Sequence, residues 1–167
     1  LISYRLKNEK FMFNTLNKKV KIKKFGIFNL NVFKNKLDGL EHYVLSKGKF
    51  NSKKSARVRV ISVNVDNGIE NLNNNIYLNS IKYLSRFNNF ALIVIKNKNS
   101  KKIKNESVKS TNILRYYGIG AQIIKDFKIK NMILVSRSKK KIIGLDGYGI
   151  KITRQEIIKW KKKLKFV

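Results

Sequence analysis

The residues that could do chemistry in this chain lie mostly between Arg115 and Ile150, in RYYGIGAQIIKDFKIKNMILVSRSKKKIIGLDGYGI. This stretch carries two glycine clusters and a hydroxyl-plus-lysine run, the residue types that cradle phosphate. Gly118 and Gly120 of GIGAQI do not complete a dinucleotide fingerprint, because the third glycine position is Ile123 and no strand directly precedes the motif. The pair reads instead as a tight turn into a helix. GLDGYG, Gly144 to Gly149, places glycines where a chain turns sharply, and a packing turn accounts for it. SRSKKK, Ser136 to Lys141, follows the apolar run MILVS and so sits at a strand's carboxyl end. Ligands bind at such ends in open α/β sheets. A hydroxyl with several lysines there can hold a phosphate; a solvated lysine loop is the rival reading.

Other chemistries are narrowed by composition. The chain has no cysteine, which excludes disulfides, cysteine-ligated zinc and thiolate catalysis while leaving the redox compartment undecided. His42 is the only histidine, so a multi-histidine metal site is impossible, and a structural role suits it better than a catalytic one. Among the carboxylates, Asp38, Glu41, Asp66, Glu70, Glu106, Asp126, Asp146 and Glu156 form no obvious acid/base pair by spacing, although a spatial pair stays open. No apolar run approaches the roughly 20 residues of a membrane span, and no secretory signal is visible at the start. A cytoplasmic protein without membrane contact is expected. The chain opens on Leu1 rather than Met, and a fragment of something longer is expected.

The net charge of +30 suggests a polyanionic partner. The basic residues are 32 Lys against 7 Arg, however, and Asn and Ile are abundant. That mixture is what an A+T-rich genome favours, whereas nucleic-acid readers lean on arginine for bidentate and stacking contacts. Drifted surface lysines therefore compete with a functional polyanion site.

The elements that must position these residues read as follows. Leu1 to Phe11 is a short amphipathic tail, and basic linker residues follow to Lys24. Phe28, Leu30 and Val32 alternate with Asn29 and Asn31 at the period of a half-buried strand, LDGL (Leu37 to Leu40) is a turn, and HYVLSKGKF and ARVRVISVNV are two more strands. This first part reads as an antiparallel meander. Ile76 to Phe87 has helical spacing, ALIVI (Ala91 to Ile95) and MILVS are strands buried on both faces, and Gly120 to Phe127 is a short helix between them. A parallel pairing of the two apolar runs follows from that order. Ile157, Trp160 and Leu164 share one face of a possible basic helix that docks on its own domain or meets an acidic partner or headgroups. The fold class is α/β: a mixed sheet, with an antiparallel N-terminal meander, parallel C-terminal strands and covering helices.

Taken together, the segments resemble the GTP cyclohydrolase II family. LRYYGIGAQII resembles its R-[DE]-Y-G-I-G-A-Q-I-L stretch, SRSKKK its T-N-N-P-x-K loop, and GLDGYG its G-L-E-G-Y-G. Earlier, FGIFNLNVFKNKLDGLEHYVLSKGKF resembles its first hairpin and ARVRVIS its R-V-H-S-E-C segment, so the likeness runs in order from about Val20 to Ile157. Leu1 to Phe11 resembles the end of a 3,4-dihydroxy-2-butanone-4-phosphate synthase, which often precedes the cyclohydrolase in one bifunctional chain. The resemblance divides the chain into residues 1–19, synthase tail and linker; 20–157, the cyclohydrolase-like domain; and 158–167, a basic tail.

In that family zinc held by three cysteines activates water against the purine of GTP. The resemblance implies substrate contacts at Arg59 and Ser62, but Ile61 and Val63 replace the histidine and glutamate of the motif, and Asn64 replaces the first zinc cysteine. The other two cysteines have no counterpart. Arg115 matches the catalytic arginine, while Ile113 stands where the catalytic aspartate belongs. Ser136 takes the place of the loop threonine, Lys141 matches the loop lysine, and Lys98 replaces the acid of R-Q-E-G-R. No zinc or other cofactor is expected.

A degenerate GTP cyclohydrolase II-like domain follows, a pseudoenzyme of riboflavin biosynthesis that shapes or regulates an attached synthase, with a homodimer expected. The alternatives are a residual phosphate- or nucleotide-binding regulatory site at Arg59, Arg115, Ser136 and Lys141; an RNA-binding basic domain; and an active cyclohydrolase with a non-cysteine metal site.

Overall fold

Every residue from Phe90 to Ile95 is buried. Successive side chains of a strand point to opposite faces, so such a run needs cover on both sides of its sheet. The computed structural model, which describes residues 4, 8–64, 75–97, 118–142 and 144–159, supplies that cover. Its elements are β1 (Met12–Ile22), β2 (Gly26–Asn35), β3 (Glu41–Lys47), β4 (Ala56–Asn64), α1 (Asn75–Leu84), β5 (Phe90–Asn97), α2 (118–126), β6 (Asn131–Ser136), a 3-10 turn (Leu145–Tyr148) and β7 (Lys151–Ile157).

The seven strands form one sheet in the order β1-β2-β3-β5-β4-β6-β7. The β1-β2, β2-β3 and β3-β5 pairs are antiparallel; β5-β4, β4-β6 and β6-β7 are parallel. The mixed α/β sheet expected from the sequence is therefore present. On one face Ile119, Ile123 and Ile124 of α2 pack with Phe33, Val44, Ile93 and Ile95. On the other, Ile81 and Leu84 of α1 pack with Phe28, Leu45, Phe90 and Leu92. Alternate residues of β5 thus feed two separate cores. Among the described residues no helix is long and apolar enough to cross a membrane.

Three segments differ from the expectation. Ala56–Asn64 is not part of the meander: it lies in the parallel half, between β5 and β6. The apolar runs β5 and β6 are parallel but not adjacent. The reason is that β3 already occupies the far edge of β5, so the strand after α2 can add only beside β4. Second, residues 12–22, expected as linker, form edge strand β1. Its pattern is mostly exposed, and Lys18, Lys19 and Lys21 hid the strand signal; lysines on an edge discourage pairing with another chain. Third, Ile157 belongs to β7, not to a helix, and Ile158 is buried against the α1 face. Trp160 and Leu164 lie outside the described residues.

His42 is fully buried on β3, and its Nδ1 accepts the Lys96 backbone N–H at 3.1 Å. The β3-β5 ladder ends at Tyr43 and Val94, so the imidazole serves a backbone donor just past the last pair. Gly48 closes β3 at φ +88°, and a Cβ there would lie 2.2 Å from the Asn88 carbonyl oxygen. Both the left-handed backbone and the lack of space demand glycine. Gly48→Ala is expected to cost about 2–4 kcal/mol and to lower the melting temperature, read by circular dichroism, by roughly 5–15 °C. An unchanged melt would mean that the backbone at Asn88 yields.

A candidate crevice between two diverging strands

β4 and β6 pair only from Ala56–Met132 to Val58–Leu134. Beyond that point β4 stays with β5 as far as Asn64–Asn97, and β6 stays with β7 as far as Ser136–Ile157. The divergence follows from topology: the chain leaves β4 toward β5 and leaves β6 toward β7, in opposite directions along the sheet. Such a switch point opens a crevice at the carboxyl ends of the strands. Here it holds a cavity of about 250 Å³, walled by Arg59 and Val60 of β4, Gly120, Ala121 and Ile124 of α2, Ser136 of β6, and Arg137 and Lys140 of the next loop.

Of the residues singled out in the sequence, two meet in this cavity. Arg59 is buried; its Nε donates to Ser80 Oγ at 2.6 Å and its Nη1 to the Val135 carbonyl at 3.3 Å. Ser80 Oγ in turn donates to the Ile76 carbonyl at 2.6 Å. The guanidinium therefore braces β4 against β6 where their ladder has ended, and ties both to α1. Ser136 is also buried, and its Oγ donates to the Ser138 carbonyl at 2.7 Å, fixing the turn that leaves β6. Ser62 is exposed at the end of β4, accepting the Asn97 side-chain amide, and does not line the cavity. Lys141 is exposed on the loop and does not line it either. Arg115 and Ile113 lie outside the described residues, as does Lys98.

Arg137 and Lys140 are the lining residues that sequence reasoning passed over. They belong to SRSKKK, so the run was visible, but loop spacing cannot say which cations face inward. Gln155 of β7 sets the loop: its Oε1 accepts the Lys140 N–H at 2.9 Å and its Nε2 donates to the Lys140 carbonyl at 2.6 Å.

The neighbouring β7 residue, Glu156, points to the α1 face. Arg57 donates to it through Nε at 3.0 Å and Nη2 at 2.9 Å, Tyr83 through its hydroxyl at 2.8 Å and Arg154 through Nη2 at 3.0 Å. Arg57 also stacks on Phe87, 3.6 Å from the ring centroid. Burial alone would raise the carboxyl pKa, but the bonds from Arg57, Tyr83 and Arg154 outweigh it and hold the group at about 2. Burial, reinforced by the bond to Glu156, raises the Tyr83 hydroxyl. The cluster is a structural clamp joining β4, α1 and β7, with its carboxylate fully engaged.

A zinc ion of the kind the resemblance implies does not fit these residues. Catalytic zinc takes three protein ligands from thiolate, imidazole and carboxylate. The carboxyl end of β4 offers the Ser62 hydroxyl and, beside it, the Asn97 amide. Among the described residues no three His, Cys, Asp or Glu side chains gather closely enough to hold a metal.

The far flank of α2 holds the start of the chain. Gln122 Oε1 accepts the N–H groups of Phe11 at 3.0 Å and Met12 at 3.3 Å, while its Nε2 donates to the Glu9 carbonyl at 2.9 Å. Lys10 pairs with Asp126 at 3.1 Å. One helix thus forms a wall of the crevice and anchors the incoming chain.

Residues 76–156 match the family model described as GTP cyclohydrolase II. Over 51 residues the chain is 45% identical to the riboflavin biosynthesis protein RibBA of Bacillus subtilis, covering 30% of this chain and 13% of that protein. Over 176 residues it is 27% identical to the chloroplastic monofunctional riboflavin biosynthesis protein RIBA 2 of Arabidopsis thaliana, covering 92% of this chain and 35% of that one. Its fold is similar to the crystal structure of RibBX, a two-domain 3,4-dihydroxy-2-butanone 4-phosphate synthase from A. baumannii, with a TM-score of 0.65 and 18% identity over 96% of this chain and 44% of that one. The chain spans less than half the length of each of these proteins.

Two outcomes are expected from this geometry. Because the folded-state pKa of Glu156 is depressed, its stabilisation is complete above pH 4.5 and is lost as pH falls toward about 2. Glu156→Gln should cost about 1–3 kcal/mol at neutral pH and flatten the loss of melting temperature across that acid window. Gln122→Ala should cost about 1–3 kcal/mol and speed hydrogen exchange at the Phe11 and Met12 amides selectively. Unchanged exchange there would show that the anchor is not formed in solution.

Proposed function

The chain belongs to the GTP cyclohydrolase II family, and from that premise we propose that this riboflavin-biosynthesis domain keeps the fold without the ring-opening chemistry and serves as a structural or regulatory unit of an attached 3,4-dihydroxy-2-butanone-4-phosphate synthase. The carrying observation is the donor set at the end of β4, where the Ser62 hydroxyl and the Asn97 amide stand in a chain that has no cysteine at all. Attack of water on a purine carbon needs a nucleophile generated near neutral pH, and a zinc-bound water supplies it by lowering the water's pKa to about 7. Serine and asparagine are neutral oxygen donors and do not replace thiolates in that role. Ile113, in place of the catalytic aspartate, can neither donate nor accept a proton. Arg59, aligned with a substrate contact, spends its guanidinium on Ser80 and Val135.

What remains is a scaffold with a fixed attachment. Residues 9–12 are held by Gln122 and Asp126, so a domain ahead of them would be mounted on α2 rather than hung from a loose tether. Two relatives support the reading: one is named monofunctional, and the fold neighbour is described as a two-domain synthase.

The direct test is GTP turnover by the purified chain with added zinc, followed as formate. Release at the no-protein background is expected; release above it overturns the proposal. A second arm removes residues 12–167 from the synthase-bearing chain, where lower synthase activity or melting temperature is expected. An unaltered synthase would refute the supporting role.

A further inference from the structure

Resting on that reading of a catalytically silent domain, we propose that the crevice between β4 and β6 binds a small phosphomonoester in preference to a nucleoside triphosphate, with Arg137 and Lys140 as its anion contacts. Size is the first argument. The cavity measures about 250 Å³, below the roughly 300–1,000 Å³ of pockets that enclose drug-sized ligands. A phosphate group with a short carbon stem fits within that space; a nucleoside triphosphate would have to extend out of its open mouth.

Charge is the second. Arg137 and Lys140 line the cavity beside Arg59, whose guanidinium is engaged by Ser80 and the Val135 carbonyl, and among the described residues no aspartate or glutamate lines it. A concave wall of one sign over low-dielectric side chains focuses the field on an incoming anion. Glu156, the carboxylate of β7, lies on the opposite face and is matched by Arg57. Arginine's planar fork suits two phosphate oxygens at once, and lysine adds a point charge.

Preorganisation is the third. The turn that carries both cations is fixed at one end by Ser136 Oγ on the Ser138 carbonyl, and at the other by the Gln155 amide on both backbone groups of Lys140. Binding there orders little new backbone, which removes much of the entropic cost of capturing a small ligand. Val60, Ala121 and Ile124 supply an apolar flank for the stem.

The experiment is isothermal titration of the full chain with glycerol 3-phosphate, inorganic phosphate and GTP at physiological ionic strength. One site is expected, with glycerol 3-phosphate bound more tightly than GTP. Arg137→Ala and Lys140→Ala are each expected to weaken glycerol 3-phosphate about tenfold or more, equivalent to about 1.4 kcal/mol, while each variant still unfolds cooperatively. Lys18→Ala, on edge strand β1, is the control and should leave affinity unaltered. Equal losses in all three variants, or several weak sites, would reduce the effect to general attraction by a chain of charge +30 and overturn the proposal. GTP binding more tightly than the monoester would overturn the ligand class. Formate release separates the two levels: formate defeats the silent-domain reading, whereas no formate and no heat with the monoester defeats this inference alone.

Discussion

The two-sided burial of β5 governs the rest of the molecule. A strand with Phe90, Leu92 and Val94 on one face and Ala91, Ile93 and Ile95 on the other can be satisfied only between two helical layers. One crossover must then lie on each face. With β3 already paired to the outer edge of β5, the second crossover has to return past β4. Burial demand therefore fixes the strand order, and the strand order fixes where β4 and β6 part. The crevice is a by-product of sealing a hydrophobic strand, which is why it survives whether or not chemistry takes place in it.

Arg59 shows how such an opening is kept from collapsing or flooding. Diverging strands expose backbone carbonyls that lack a ladder partner, and a buried unpaired carbonyl is costly. The guanidinium reaches the Val135 carbonyl and a serine of α1 at once, converting a potential defect into a brace. A catalytic metal lost from such a fold would take a reaction with it but no layer of the core, because both apolar clusters are built from hydrophobic side chains alone. Zinc fingers, whose metal is their core, have no such freedom.

Much of this fold was legible in the sequence because burial leaves a periodic trace. ALIVI and MILVS announced strands covered on both faces, and the alternation from Phe28 to Val32 announced a half-buried one. The edge strand β1 was not legible: an edge has one partner and little burial, so its lysines resembled a linker. The place of Ala56–Asn64 was not legible either, since a strand's apolar pattern reports burial and not neighbours. At the crevice, the sequence singled out the loop after β6 and Ser136, yet not Arg137 and Lys140; the course of that loop is set by Gln155, which holds the Lys140 backbone from a strand fifteen residues away. Carrying a family's contacts over by position singled out Arg59 as a substrate contact, and the residue lines the crevice, but position alone could not foresee that its guanidinium would bond inward.

The anchor formed by Gln122 also has a temporal side. Its bonds to Phe11 and Met12 join residues 111 and 110 positions apart. On a growing chain, the first strand must wait for most of the domain to leave the ribosome before its leading end is fastened. Closing so long a loop is entropically slow, and chains rich in such distant contacts fold late. Until then the β1–β2 hairpin is held chiefly by its own ladder, with its edge open. The lysines along that edge matter most during this interval, when mutual repulsion between nascent chains guards against strand exchange before the last fastening is made.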